Sequence, residues 1–252
     1  MAVKRKTYTF RKGDVIEVEE FHDGNYGAPG SRRGSRRKAT AEQMALVNRY
    51  NKAKRCRHRL LQYFNSGDLF ATLTYEKTNR PADMDAAKKD FRKAMRSVRK
   101  EYKKLGIILR WIANIERGTK GAWHIHLVIK EAGNTASILK KAWNLGGIYA
   151  EQIALNNKLY DVDFTKLACY MTKDENTTEK KLDGSRSKPR LSEAAYSTSR
   201  NMPLAEPKID RIMRWKEKIK PKKGYSIEKE FHGYNPVTGF MYRRYTMIRL
   251  RI

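Results

Sequence analysis

The run Trp123-His124-Ile125-His126-Leu127-Val128-Ile129 decides how this chain is read. Five histidines occur in 252 residues, and two of them stand one residue apart inside an otherwise apolar segment. The β-favouring side chains predict a strand, in which residues i and i+2 point to one face. His124 and His126 then project side by side, while Trp123, Ile125, Leu127 and Ile129 pack on the other face. Two imidazoles one strand repeat apart suit a single metal ion as adjacent ligands.

Working outward, a preceding strand over 107–116 and the loop Arg117-Gly118-Thr119-Lys120-Gly121 predict an antiparallel hairpin. Glu116 precedes His124 by eight residues, so one register sets the two opposite each other with both side chains on the imidazole face. A carboxylate beside two imidazoles leaves open positions for a phosphate oxygen or water, as a catalytic Mg²⁺ or Mn²⁺ requires. The plainer alternative is that Glu116 simply begins the charged loop. Arg117 and Lys120 in that loop are candidate nucleic-acid contacts.

The rest of the chain supplies a layered pattern. Leu69 to Tyr75 predicts a strand, and Pro81-Ala82-Asp83 opens a helix to about Leu105 with Ala87, Phe91, Met95, Val98 and Tyr102 as its apolar stripe. Lys88, Lys89, Arg92, Arg96, Arg99 and Lys103 crowd the remainder of that helix and read as a solvated face, a nucleic-acid groove being the lesser reading. A helix over 135–144, a strand over 147–154 and a helix over 163–174 follow. This order predicts an α+β fold: a central antiparallel sheet with helices packed mainly on one face. Thr40 and Gln43 look like a reciprocal N-cap for a helix to about Phe64.

Before it, residues 4–20 suit a short β-ribbon, and the Gly-, Pro- and Arg-rich stretch after Asp23 reads as a basic arm. Residues 176–190 read as an exposed loop, 211–220 as a short basic helix, and Tyr234 to Phe240 as a turn into a strand over 240–250. Three parts are expected: an N-terminal arm and helix (1–65), a central catalytic domain (66–200) and a basic C-terminal extension with a β-hairpin (201–252). Whether that extension joins the domain or forms a separate DNA-binding or oligomerisation element stays open.

Composition narrows the partners. Fifty-five Lys and Arg against 27 Asp and Glu give a net charge of +28, which favours a polyanion such as nucleic acid. A basic protein without chemistry, such as a ribosome-associated one, fits the same composition. The mean hydropathy of −0.80 and the lack of a long apolar run argue against a membrane, and the basic N-terminus lacks an apolar signal core, so a cytoplasmic protein is expected. Cys56 and Cys169 are too few for a disulfide framework or thiolate zinc site, leaving His and carboxylates as metal ligands. No Gly-x-x-x-x-Gly-Lys-Ser/Thr loop is visible, so any ATP-driven motor lies in another chain.

Tyr170 and Lys173 fall three apart on the helix over 163–174, where hydroxyl and ammonium share a face. A nearby cation or metal favours the phenolate of a tyrosine that is otherwise a poor nucleophile. Phe70-Ala71-Thr72-Leu73-Thr74-Tyr75, His124-Ile125-His126 and Tyr170-Met171-Thr172-Lys173 resemble, in order, the three motifs of HUH-endonuclease replication initiators, the rolling-circle Rep proteins of plasmids, phages and small single-stranded DNA viruses. The resemblance covers residues 66–175. The motif order and the single tyrosine resemble the one-tyrosine class, with Glu116 in the third-ligand place. Ser199-Arg200-Asn201-Met202-Pro203 is also similar to a segment of bacterial and phage initiators.

That resemblance implies an RRM-like HUH fold and a metal on Glu116, His124 and His126. It implies that Tyr170 attacks a scissile phosphate to leave a 5′-phosphotyrosine link and a free 3′-hydroxyl, assisted by Lys173. It also implies single-stranded or hairpin origin DNA as substrate, Thr72 and Thr74 as candidate DNA contacts, and a helicase and polymerase supplied by other chains. One tyrosine leaves termination to the second protomer of a homodimer or to an activated water. Two alternatives remain: a single-strand transposase or mobilisation protein with the same chemistry, and a non-catalytic nucleic-acid-binding protein.

Overall fold

The computed structural model describes residues 3–22, 38–118, 121–154, 160–173, 176–177, 190–191, 194–212, 217–235, 237 and 239–250. In chain order the elements are β1 (Val3–Phe10), β2 (Val15–His22), α1 (Ala41–Tyr63), β3 (Leu69–Thr74), α2 (Met84–Lys104), β4 (Trp111–Arg117), β5 (Trp123–Ile129), α3 (Thr135–Ala142) and β6 (Ile148–Gln152). Then come α4 (Thr165–Met171), β7 (Asn176–Thr177), β8 (Arg190–Leu191), β9 (Ala194–Thr198), β10 (Lys208–Ile212), β11 (Tyr225–Tyr234) and β12 (Met241–Arg249). They divide into two compact units, one of Met1–Gln62, Val162–Phe164 and Leu204–Ile252, the other of Tyr63–Asp161 and Thr165–Pro203.

The second unit is built on a five-stranded antiparallel sheet in the order β6-β3-β5-β4-β9. Alternation in its central strands separates two faces. Leu69, Ala71 and Leu73 of β3, Ile125, Leu127 and Ile129 of β5, and Ala113 and Ile115 of β4 all enter one buried core. The α2 stripe Ala87, Phe91, Met95, Val98 and Tyr102 covers them, joined by Ile138 and Leu139 of α3. Burying such side chains contributes about 2 kcal/mol each, which fixes the register, because a one-residue slip would turn them to the opposite face.

Asp83 caps α2 by accepting from the Ala86 backbone N–H at 2.8 Å. Tyr102 near its other end donates to the Lys130 carbonyl at 2.5 Å and lies 2.8 Å from the Thr135 hydroxyl. Asp68 closes the base of the sheet, accepting from the backbone N–H groups of Asn65 (2.8 Å) and Glu131 (3.0 Å) and from Lys130 Nζ (3.1 Å). At the other end of β3 the backbone of Gly146 passes so close that a Cβ there would lie 2.2 Å from the Thr74 carbonyl oxygen. Only glycine fits this approach.

The α+β class is as expected, and the first unit adds a sheet that the sequence reading does not contain. Strands from both chain ends form a second five-stranded antiparallel sheet, β10-β1-β2-β12-β11. The ribbon expected over 4–20 is the β1–β2 hairpin, and the expected C-terminal hairpin is β11–β12. Long-range pairing of β2 with β12 leaves no local trace in sequence, so the join between the two ends was not legible. Lys208–Ile212 is a strand where a basic helix was expected to begin at Arg211, and residues 213–216 of that helix lie outside the described residues. The basic arm at 23–37 and most of the loop expected over 176–190 also lie outside them, although Asn176–Thr177 and Arg190–Leu191 pair as a short ribbon.

The β2 strand reads as alternating carboxylates, and both of its faces are buried. Ile16 and Val18 pack with Tyr225, Tyr245 and Met247, while Glu20 on the same side is held by its cross-strand neighbours Arg5 and Arg243. Glu17 on the other side pairs with Arg57 of α1 and lies 2.8 Å from His58 Nε2. Arg57 and the neighbouring Arg244 pull the Glu17 carboxyl far below the ordinary carboxylate range despite its burial. The α1 N-terminus bears the expected reciprocal cap, Thr40 N–H to Gln43 Oε1 at 2.9 Å and Gln43 N–H to Thr40 Oγ1 at 3.2 Å.

Candidate functional site

On the sheet face away from α2, two rows of side chains run across neighbouring strands. Thr72, His126, Asn114 and Tyr196 occupy one row; Thr74, His124 and Glu116 occupy the next. Glu116 sits directly opposite His124, which is the register the eight-residue spacing requires. The strand pattern thus places two imidazoles and a carboxylate on one face, as the sequence predicts.

α4 crosses this face. Its buried residues Leu167, Ala168 and Met171 hold it there, and it spans Thr165–Met171 rather than the longer helix expected over 163–174. Phe164 just before it has φ +55°, a left-handed conformation that ends helical backbone on that side. The Lys166 backbone N–H donates to the Asp161 carboxylate at 2.9 Å, and Thr172 Oγ donates back to the Ala168 carbonyl at 2.7 Å. Asn114 ties the end of the helix to the sheet, its buried Nδ2 donating to the Met171 carbonyl at 3.1 Å. Sequence reading missed this residue. Its signal was a lone amide inside Ile112-Ala113-Asn114-Ile115, two residues before Glu116 on the same face.

This anchoring brings the Tyr170 hydroxyl to 3.0 Å from His126 Nε2 and 3.4 Å from Nδ1. The Thr72 hydroxyl lies 3.2 Å from His126 Nδ1. With Nδ1–H donating to Thr72, the Nε2 lone pair faces the space beside the phenol. Phe70 stacks on the His126 ring at 6.0 Å and meets Tyr170 edge-on at 5.9 Å, a second residue the sequence reading did not single out as part of the site. Burial lowers His126 to a pKa of about 4, helped by Lys173 and His124 and opposed by Glu116, so the ring is neutral at pH 7. Burial, then the Glu116 charge, pushes the Tyr170 phenol up to about 12.

Lys173 does not share the hydroxyl's direction, as helical spacing predicted. It lies past the end of α4, its ammonium paired with Glu116 Oε2 and 4.6 Å from the centre of the Tyr170 ring. The cation therefore neutralises the carboxylate and faces the ring, while the phenol stays protonated.

A metal would find the right donor types here but not yet a closed cage. Glu116 Oε2 is 3.9 Å from His126 Nε2, whereas the two imidazole ring centres are 6.3 Å apart and nearly parallel. The neutral His126 is in the form that binds metal. Closing the set requires Glu116 to leave Lys173. Among the described residues, the set whose ligand atoms all lie within 4.8 Å of one another is instead Glu17, Glu19 and His58. There Arg57 and Lys54 already hold the two carboxylates, so that cluster is a charge network of the fold.

The remaining expected residues have other placements. Thr74 Oγ donates to the Gly147 carbonyl at 3.2 Å, Arg117 lies 5.7 Å over the Trp123 ring, and Lys120 falls outside the described residues.

Residues 68–175 match the protein-family model of the replication-associated proteins of the ORF2 group. The matched span starts at the Asp68 hub before β3 and runs through the hairpin of His124 and His126 to just past Tyr170 and Lys173. It is consistent with a role for the chain in replication initiation. No curated protein and no solved structure gives a significant match to the chain. Among the described residues no helix is long and apolar enough to cross a membrane.

Proposed function

We propose that this protein starts rolling-circle replication by nicking and rejoining single-stranded DNA at an origin, with Tyr170 as nucleophile. The observation that carries the proposal is the Tyr170 hydroxyl 3.0 Å from a neutral His126, beside the Glu116–His124 pair and within the span that matches a replication-associated family.

In the reaction the Tyr170 oxygen attacks the scissile phosphorus, losing its proton, and the P–O3′ bond breaks. The 3′ oxygen leaves as a hydroxyl, and the phosphate stays on the protein as a 5′-phosphotyrosine. Phosphoester energy is kept in this link, so reversal by another 3′-hydroxyl needs no ATP. A divalent cation, Mg²⁺ or Mn²⁺, held by Glu116, His124 and His126 would polarise the phosphate. The chain supplies the rest. Asn114 and Phe70 hold Tyr170 over the sheet, Thr72 sets the His126 tautomer, and Lys173 offsets negative charge near the phosphate. A phenol held near pKa 12 needs this help, because little of it is ionised at neutral pH.

The test incubates the protein with labelled single-stranded origin oligonucleotides and Mn²⁺. A covalent adduct that Tyr170→Phe abolishes is the expected result. No adduct across a broad oligonucleotide library would refute the nuclease and leave a non-catalytic DNA-binding protein.

A further inference from the structure

We infer that the α2 side of the second unit carries a separate groove for an unpaired DNA strand, on the sheet face opposite Tyr170. Nothing in this inference depends on the nicking chemistry.

An open groove of about 880 Å³ runs between α2 and the edge of the sheet formed by β9 and residues 199–201. Along one wall, Lys88, Arg92, Arg96 and Arg99 form a row at helical spacings of four, four and three. At 1.5 Å rise per residue this row is roughly 16 Å long, enough to follow several phosphates. Lys88 is paired with Asp85 at 3.3 Å and Arg92 Nε donates to the Lys88 carbonyl at 3.1 Å. Arg96 and Arg99 are exposed and make no ion pair among the described residues.

The floor is apolar and aromatic. Trp111 meets Phe91 edge-on at 5.1 Å, and its buried Nε1–H has no hydrogen-bond partner among the described residues. Across the groove, Ser199 continues the edge by donating its N–H to the Trp111 carbonyl at 3.0 Å, and Asn201 Nδ2 reaches the Leu109 carbonyl at 3.0 Å. These bonds hold Arg200 at the rim. The Ser-Arg-Asn-Met-Pro segment thus gains a structural place as the far wall.

The charge arrangement selects the partner. On α2, nine Lys and Arg stand against three Asp and Glu, and the row lies directly beside the buried stripe. Cations along one wall, an aromatic floor and an unused indole donor match a phosphate backbone with bases turned inward. A concave groove of this size admits an unpaired strand, whereas a duplex would meet only its rim.

The experiment measures binding of fluorescent oligo-dT to full-length protein in the Tyr170→Phe background, over a series of salt concentrations. Arg92→Gln/Arg96→Gln/Arg99→Gln should weaken binding about tenfold or more and flatten the log–log salt slope by about 2, at about 0.7 per lost phosphate contact. Lys93→Gln/Lys100→Gln/Lys104→Gln removes equal charge from the same helix away from the groove and should change the slope much less. Equal effects of the two triple variants would overturn the groove, as would a duplex of the same length binding as well as oligo-dT. Poly-glutamate competing as well as oligo-dT per charge would overturn the nucleic-acid assignment. Photocrosslinking with 5-iodouracil oligomers gives an independent readout. Label on the peptide holding Trp111 supports the groove, and label confined to other peptides refutes it.

Discussion

Replacing Lys173 by Gln separates two roles that coincide in the site. The ammonium is paired with Glu116, and the two side chains are 30% and 20% exposed, so solvent screens the pair substantially. Such a partly exposed pair is worth about 1 kcal/mol. A divalent cation using Glu116 must break it, and must also approach the lysine's own positive charge, a second penalty of about 1 kcal/mol in that screened setting. Lys173→Gln removes both, so Mn²⁺ affinity should rise roughly five- to thirtyfold. Mn²⁺ binding is read by electron paramagnetic resonance of the free ion, in the Tyr170→Phe background with no DNA present. In an otherwise unmodified chain the same substitution should slow adduct formation at saturating Mn²⁺, because charge on the phosphate loses its counterpart. Affinity and rate therefore move in opposite directions. Unchanged or weaker Mn²⁺ binding in Lys173→Gln would refute Glu116 as a ligand held in reserve by the lysine.

Two further predictions concern stability. His126 is lowered to about 4 in the fold, against an ordinary value of 6.5. Below pH 6.5 the unfolded chain therefore takes up a proton that the folded one refuses, and stability falls as pH drops toward 4, by at most about 3 kcal/mol from this residue. His126→Gln should remove that part of the slope in urea unfolding between pH 7 and 4; parallel profiles for the two proteins would contradict it. Glu17→Gln leaves Arg57, 2% exposed, without its main partner, and should cost roughly 3–5 kcal/mol in the same assay at pH 7. A loss below about 1 kcal/mol would show that Asp163, 3.7 Å from Arg57, carries the pair alone.

Local pattern determined a good deal. The alternation in 123–129, the eight-residue offset of Glu116 and the tight loop between them were enough to place both imidazoles and the carboxylate on one face, since pleat and hairpin register are short-range geometry. The helix of Asp83 to Leu105 was equally legible, because its cap and its 3.6-residue stripe lie within its own sequence. The division of the termini was not. β1, β2 and β12 are separated by most of the chain, and their pairing depends on contacts such as Glu20 with Arg5 and Arg243 that no local window contains.

The site shows the same limit. Sequence spacing put Tyr170 and Lys173 on one helical face, but where a helix ends and what lies opposite it are tertiary facts. Asn114 fixes the end of α4, burial sets the phenol near pKa 12, and Lys173 turns to Glu116 because an unpaired carboxylate in a half-buried site is costlier than a redirected lysine. The basic face of α2 changed most. As a sequence it is a row of charges with no stated partner, and only the open edge of the sheet beside it makes that row one wall of a groove. Residue type and spacing determined which groups share a face; packing between distant segments decided what each of those groups touches.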